Sequence, residues 1–274
     1  GSFLNIPVNY SVVTNIDEEH LDFYKSINNL KKHFLKFMEK TPSFGKSYIC
    51  IDNNFNRQIL QNIKNKNFLT YGLHKSANFK INNVKQLKYL SKFNLEISLP
   101  GKKDVTVKNI SIPIIGLHNI QNATAAFAVC YNVGISIKKI KLGLKNFQGV
   151  QRRFNKIFSF RKINFIDDYA HHPTEIKSVL NGIKNSYKSE EIICIFQPHR
   201  VSRLNSLKEK FTRCFKDANT VILCPVYKAG ENINLKFKYD SFAKQIIKKS
   251  KTRLIMVNNE KDLLKYVKQN IFGN

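Results

Sequence analysis

The sequence predicts an α/β protein of two domains, the second built on a mainly parallel sheet. Two observations carry this expectation. After Gly149, short apolar runs alternate with amphipathic stretches of helical length, the order that βαβ units produce. A chain of 274 residues, at about 150 per domain, also corresponds to roughly two buried cores. A boundary is expected near Phe147–Arg152, dividing the chain into 1–149 and 150–274.

Each element has a local reason. Ser11–Thr14 (SVVT) is a β-branched run and reads as a short strand. Across Tyr24–Lys40 the apolar residues Ile27, Leu30, Phe34, Phe37 and Met38 recur at helical spacing. Thr41-Pro42-Ser43-Phe44-Gly45 stops that helix, and Tyr48–Ile51 reads as a buried strand. Phe79–Val107 is β-rich, with Pro100-Gly101-Lys102-Lys103 as a turn between Leu95–Leu99 and Val105–Val107. An Ala-rich helix is expected over Ile120–Val133, and a second after Gly134, over Ser136–Phe147. Then strands at Ile163–Ile166, Ile192–Phe196, Thr220–Leu223 and Leu254–Val257 alternate with helices at Pro173–Ser186, Ser202–Phe215, Ser241–Lys249 and Glu260–Gln269.

Composition narrows the class. No apolar run approaches the roughly 18–20 residues of a membrane span, and no basic stretch followed by an apolar one opens the chain. Collagen, mucin, coiled coil and integral membrane protein are excluded. Lys plus Arg is 46 and Asp plus Glu is 19, so the net charge is 46 − 19 = +27. Such charge attracts nucleic acid, anionic lipid or phosphorylated ligands. Lys is scattered along the chain, however, which fits a solvated basic surface better than a dedicated arm. Five cysteines without a CxxC pair are expected to be buried free thiols of a reducing compartment.

In parallel sheets ligands bind beyond the carboxyl ends of strands, so segments that follow strands hold the candidate sites. Asp167-Asp168-Tyr169-Ala170-His171-His172-Pro173-Thr174-Glu175 follows one strand and opens a helix, with Pro173 suited to the first helical position. Its carboxylates can accept from ribose hydroxyls, and its imidazoles can hold a phosphate or carboxylate beside a helix N-terminus. Zinc lacks a third ligand at motif spacing. The same residues also suit plain capping. Phe196-Gln197-Pro198-His199-Arg200-Val201-Ser202-Arg203 follows the next strand, and Arg200 and Arg203 would share a face on a helical first turn. Where Lys far outnumbers Arg, an Arg pair points to planar, bidentate recognition of carboxylate or phosphate, against a bland pair of surface cations.

Three further segments carry weaker signals. Gln151-Arg152-Arg153-Phe154 lies at the expected boundary, where its cations could reach a polyphosphate or simply be solvated. Gly116–Ala123 (GLHNIQNA) sets Asn119 and Asn122 three apart at a helix start, suited to an adenine edge or, for Asn119, to N-capping. Thr14–Asp22 (TNIDEEHLD) gathers acids and His20 after a strand, fit for a divalent cation near phosphates or for an acidic helix start.

Taken in order, these segments resemble the Mur ligase family, the ATP-dependent amide-bond ligases of peptidoglycan synthesis. The resemblance runs from GSFLNIPVNYSVVTNIDEEHLDFY through GLHNIQNATAAFAV, FQGVQRRF, DDYAHHPTEI and FQPHRVSR to VYKAGE, nearly the whole chain. DDYAHHPTEI with FQPHR is similar to the branch that adds L-alanine. The resemblance implies a partial P-loop-type central ATPase domain followed by a Rossmann-like C-terminal domain that receives the amino acid. It implies an ADP-forming acid–amino-acid ligase of the bacterial cytoplasm, using ATP and Mg²⁺ on UDP-N-acetylmuramate and L-alanine. It implies neither a specific nucleic acid nor membrane insertion, and it leaves the oligomeric state open.

The resemblance also distributes roles. His20 would lie at a Mg²⁺ site. Asn119 and Asn122, with His118 nearby, would contact adenine, Asp168 the ribose, and Arg153 the ATP phosphates. Tyr169, and His171 or His172, would face the nucleotide-sugar and the reacting carboxyl. Arg200 and Arg203, beside His199, would hold the carboxylate of the incoming alanine or of the product, and Phe147–Arg153 would act as a hinge. The family's glycine-rich phosphate loop, the acid before the Gly-Ser-Phe match, the UDP-sugar domain and a C-terminal tail lie outside this sequence. The expectation is therefore a chain truncated within the central domain and unable to ligate by itself. A ligase for recycled peptides, or a non-catalytic nucleotide- or nucleic-acid-binding relative, are the alternatives.

Overall fold

The computed structural model describes residues 2–64, 67–231 and 237–272, without the side chain of Asp22. The chain divides into two units, Gly1–Gln148 and Gly149–Asn274.

The first unit runs through a 3-10 turn (Ser2–Asn5), β1 (Tyr10–Val13), α1 (Leu21–Tyr24), α2 (Ile27–Glu39), β2 (Lys46–Cys50) and α3 (Asn54–Leu60). It continues with β3 (Phe68–Gly72), β4 (Phe79–Leu87), β5 (Leu90–Ile97), β6 (Val105–Ile112), α4 (Leu117–Asn132) and α5 (Ile137–Lys145). The strands form one sheet in chain order, parallel from β1 to β4 and antiparallel from β4 to β6. Alternate residues of β2 feed opposite faces. Tyr48 and Cys50 join the core that holds Ile120, Phe127 and Ala128 of α4, while Ile49 joins Leu30 and Met38 of α2 and Ile59 of α3. Helices on both faces explain why this strand reads as one apolar run rather than an alternation. The sequence reading assigns no element over 52–78; α3, capped by the Asn53 side chain, and β3 lie there.

The second unit begins with β7 (Asn155–Phe160), β8 (Ile163–Asp167), α6 (Pro173–Ser186), β9 (Ile193–Phe196), α7 (Val201–Ser206) and α8 (Lys208–Phe211). Then come β10 (Thr220–Leu223), α9 (Tyr239–Ser250), β11 (Arg253–Met256) and α10 (Glu260–Asn270). Strands β9, β10 and β11 form a parallel sheet with β10 in the middle and buried throughout. Val221 and Leu223 of β10 pack with Leu180, Phe211, Phe242 and Ile246, and Ile222 packs with Val257, Leu263 and Tyr266 on the other face.

Two expectations are corrected here. Ile163–Ile166 is not a strand of the parallel sheet among the described residues; β8 pairs antiparallel with β7 in a two-stranded hairpin. Its two-residue turn, Arg161-Lys162, takes φ of 46° and 67°. That is the geometry Asn-Gly usually supplies, so the turn leaves no signal in the sequence. Ser202–Phe215 is not one helix either. Leu207, at φ −111° and ψ 19°, separates α7 from α8, and the Ser206 hydroxyl bonds back to the Arg203 carbonyl at 3.2 Å.

All five cysteines are free, with Cys50, Cys214 and Cys224 buried. Burial pushes the Cys50 and Cys194 thiols up to about 12. Among the described residues no helix is long and apolar enough to cross a membrane.

Candidate functional site

In the second unit, segments that follow β8, β9 and β10 meet in one continuous run of contacts. Its first part is built by α6. Pro173 occupies the first turn, and His172, buried, is the N-cap: its Nδ1 accepts the Thr174 N–H at 3.3 Å. A neutral imidazole that accepts at Nδ1 carries its proton on Nε2. Glu175 completes the capping box by accepting the N–H groups of His171 at 3.1 Å and His172 at 3.2 Å. The adjacent histidines thus take different places. His172 is spent on the helix start, while His171 turns to Tyr169, with ring centroids 5.2 Å apart, and to His199, at 6.0 Å.

Asp168 anchors the same turn through both oxygens. One accepts the Phe154 N–H and the other the Ala170 N–H, each at 2.8 Å. The Tyr169 N–H in turn donates to the Arg152 carbonyl at 2.8 Å. These bonds bring the basic boundary segment onto the turn after β8. Arg152 lies 5.0 Å over the Tyr169 ring and 3.6 Å from Asp167; Arg153 lies 6.0 Å over the same ring and 3.6 Å from Glu175. Such half-exposed pairs contribute little stability. Their effect is to hold two guanidiniums beside an aromatic face.

The turn after β9 carries the second part. Arg200 does not share a helical face with Arg203, as their spacing suggests. It is the N-cap residue of α7, at φ 71° and ψ 126°, outside helical dihedrals. A non-glycine residue there costs about 1–3 kcal/mol. The compensating ties come from the segment after β10. The Arg200 N–H donates to the Tyr227 carbonyl at 2.9 Å, and the Tyr227 N–H donates to the Pro198 carbonyl at 2.8 Å. Glu231 approaches Arg200 Nε at 3.9 Å and accepts the Val201 N–H at 2.8 Å. Arg203 reaches back to the His199 carbonyl at 3.3 Å, with its Nη1 3.5 Å from His199 Nδ1. The His199 ring lies 5.4 Å from that of Tyr227.

Electrostatics follow from this packing. Burial first, and then Arg203, His171 and Arg200, hold His199 below the ordinary imidazole range, against an opposing pull from Glu231. Burial raises Glu231, but the bonds from Ser202 and Val201 and the charge of Arg200 outweigh it and leave the carboxyl below its usual range. The cluster therefore offers guanidiniums in positions set by backbone bonds, around an imidazole that resists protonation. Such an arrangement binds carboxylate or phosphate oxygens. Tyr227, Glu175 and Glu231 are contacts that sequence reasoning did not single out. Their only signal is their place in DDYAHHPTEI and VYKAGE, directly after strands.

The first unit places its candidates differently. The helix of Asn119 begins earlier than its own N-cap reading requires: Gly116 is the N-cap, at φ 99°, and Asn119 Nδ2 donates to the Ile115 carbonyl at 2.7 Å. Asn122 is exposed one turn on, and His118 is half-buried. Between them Gln121 donates to Asp52 at 2.6 Å. Asp52 also accepts the N–H groups of Leu73 and His74, each at 2.9 Å. That carboxylate, which sequence reasoning passed over, ties the ends of β2 and β3 to the first turns of α4. His20 is exposed at the start of α1, in a left-handed conformation at φ 55°. Among the described residues no three His, Cys, Asp or Glu side chains gather to hold a metal ion.

Comparison with known proteins matches both units. The Mur ligase middle domain matches residues 2–130, and the Mur ligase, glutamate ligase domain, matches residues 152–271. The chain is similar to the UDP-N-acetylmuramate–L-alanine ligase of Pelagibacter ubique, 58% identical over 273 residues, covering 100% of this chain and 59% of that protein. The ligase of the same name from Bartonella quintana is 41% identical over 232 residues, covering 84% of this chain and 49% of its own length. Among solved structures, the UDP-N-acetylmuramate-alanine ligase of Thermotoga maritima superposes with a TM-score of 0.72 at 24% identity, over 96% of this chain and 54% of that one. The chain thus spans about half to three fifths of the length of these curated relatives.

Proposed function

The chain belongs to the Mur ligase family in both of its units, and from there we propose that it serves the joining of L-alanine to UDP-N-acetylmuramate in peptidoglycan synthesis, in the bacterial cytoplasm. The observation that carries this reading is the convergence of Arg153, just before β7, with His171 after β8 and with His199, Arg200 and Arg203 after β9. The similarity to L-alanine ligases supports it.

The reaction is ATP + UDP-N-acetylmuramate + L-alanine → UDP-N-acetylmuramoyl-L-alanine + ADP + phosphate. A carboxylate is a poor electrophile. Transfer of the γ-phosphoryl group makes it an acyl phosphate, which the alanine amine attacks with loss of phosphate. Arg153 serves the transferred phosphate, and Arg200 and Arg203 hold the alanine carboxylate so that its amine is aimed, an orientation effect. Tyr169 and His171 face the nucleotide-sugar. Asp168 serves the ribose, and Asn119 and Asn122 serve adenine. His172 supports these groups from beneath, through the start of α6. His20, exposed at the start of α1, is the residue of this chain that would meet Mg²⁺, which would neutralise charge on the transferred phosphate.

The test is alanine-dependent phosphate release from the complete open reading frame that contains this sequence, with UDP-N-acetylmuramate, ATP and Mg²⁺. Release that Arg200→Ala impairs establishes the reading. A well-folded full-length protein that releases no phosphate with alanine sinks it, and the ligase for recycled peptides becomes the next candidate.

A further inference from the structure

The Glu231 carboxylate serves several groups at once. It accepts the N–H of Val201 at 2.8 Å and of Ser202 at 3.3 Å, and it accepts the Ser202 hydroxyl. The two N–H groups are the first of α7, a helix whose N-cap residue, Arg200, supplies no side-chain cap. The same carboxylate lies 3.9 Å from Arg200 Nε. Arg200 itself is held in the left-handed half of dihedral space, with its N–H tied to Tyr227. An arginine persists there only where its surroundings over-determine it. Both sets of ties come from the segment after β10, about 30 residues further along the chain. Glu231 is mostly buried, its side chain 12% exposed, whereas the Arg200 side chain is 41% exposed. The acid is packed into the fold and the cation is presented.

We propose that Glu231 is the positioning residue of the carboxylate clamp formed by Arg200 and Arg203. It fixes the Arg200 backbone by capping α7 and orients the guanidinium by meeting its Nε edge. The Nη edge is thereby directed to the amino-acid carboxylate, in the fork geometry that suits bidentate recognition. Glu231 touches no ligand and acts through Arg200. The ligand named here rests on the reading of the preceding subsection.

The experiment compares Glu231→Ala, Glu231→Gln and Ser202→Ala in the complete open reading frame, with alanine, ATP and UDP-N-acetylmuramate varied in turn. Glu231→Ala is expected to raise the KM for alanine about ten- to a hundredfold, the cost of a misplaced orienting group. Glu231→Gln keeps an oxygen for the two N–H groups but loses the charge beside Arg200, and is expected to raise it less. Ser202→Ala removes one exposed hydroxyl, keeps the protein folded, and is expected to raise it least. The KM values for ATP and the nucleotide-sugar stay within about twofold of wild type, because neither depends on the clamp. An unchanged alanine KM in both Glu231→Gln and Ser202→Ala overturns the proposal, as does an equal rise for all three substrates. Wild-type protein without alanine-dependent release overturns the ligase reading, and the ligand assigned to the clamp falls with it. Active wild type with unaffected variants overturns the role of Glu231 alone.

Discussion

The strand ends of the two units use their carboxylates in opposite ways. In the first unit Asp52 accepts from Leu73, His74 and Gln121 and locks three segments of backbone together. In the second unit Glu175 and Glu231 also cap helices, yet each stands beside an arginine, Arg153 at 3.6 Å and Arg200 at 3.9 Å. One arrangement closes a joint. The other presents cations in fixed positions. Acids at strand ends thus say little by themselves; what they face decides whether they build a scaffold or a binding surface.

The sharpest test of this contrast sets the two regions against each other in the full reading frame. Arg203→Ala is expected to lower kcat/KM for alanine about a hundredfold while leaving thermal unfolding near wild type. Equal loss from Gln121→Ala, which releases one bond of the Asp52 joint, would break the contrast, because it would place that joint on the same footing.

The next effect falls on stability rather than turnover. A Cβ at Gly72, at φ 141°, would lie 2.6 Å from the Asp52 carboxylate oxygens. Gly72→Ala therefore combines backbone strain with displacement of the joint, and is expected to cost about 1–3 kcal/mol in urea unfolding. The same substitution should leave a probe placed in the second unit unmoved at its own transition. A shift of both transitions would show that the joint supports more than the first unit.

A smaller effect is a titration. The His199 imidazole is held below its ordinary range by burial, Arg203, His171 and Arg200. Between its folded midpoint and about 6.5 the unfolded chain binds this proton more readily, so stability from this residue is present above that range and is lost as pH falls through it. In NMR titration, Arg203→Gln should raise the His199 midpoint; a fall or no change would contradict the assigned cause. Least of all is expected from thiol reagents. Cys50, Cys214 and Cys224 should label slowly in the native state and promptly in urea, because burial raises their thiols. Fast native labelling of Cys50 would place solvent inside the first core.

Legibility differed along the chain for physical reasons. Helix α6 was readable residue by residue, because Pro173 starts it and its apolar period runs to its end. Strand β10 was equally readable, as Thr220 followed by three apolar residues, buried on both faces. The hairpin of β7 and β8 was not, since its turn uses Arg161-Lys162 in a conformation those residues do not advertise. Nor was the break at Leu207, which leaves helical dihedrals at φ −111° and ψ 19° although its N–H still donates to the Arg203 carbonyl at 3.0 Å.

By itself the sequence determined the period of each element, the alternation that makes the second half a parallel sheet, and the strand-end segments where charged residues collect. These are local properties, set by which residues repeat at 2 or 3.6 and by which can cap or turn. Tertiary structure alone decided that His172 caps while His171 faces His199, that Arg200 leaves the helix it precedes, and that Glu231 supports it from about 30 residues away. No spacing rule encodes such contacts, because they arise only when the folded unit brings the turns after β8, β9 and β10 side by side.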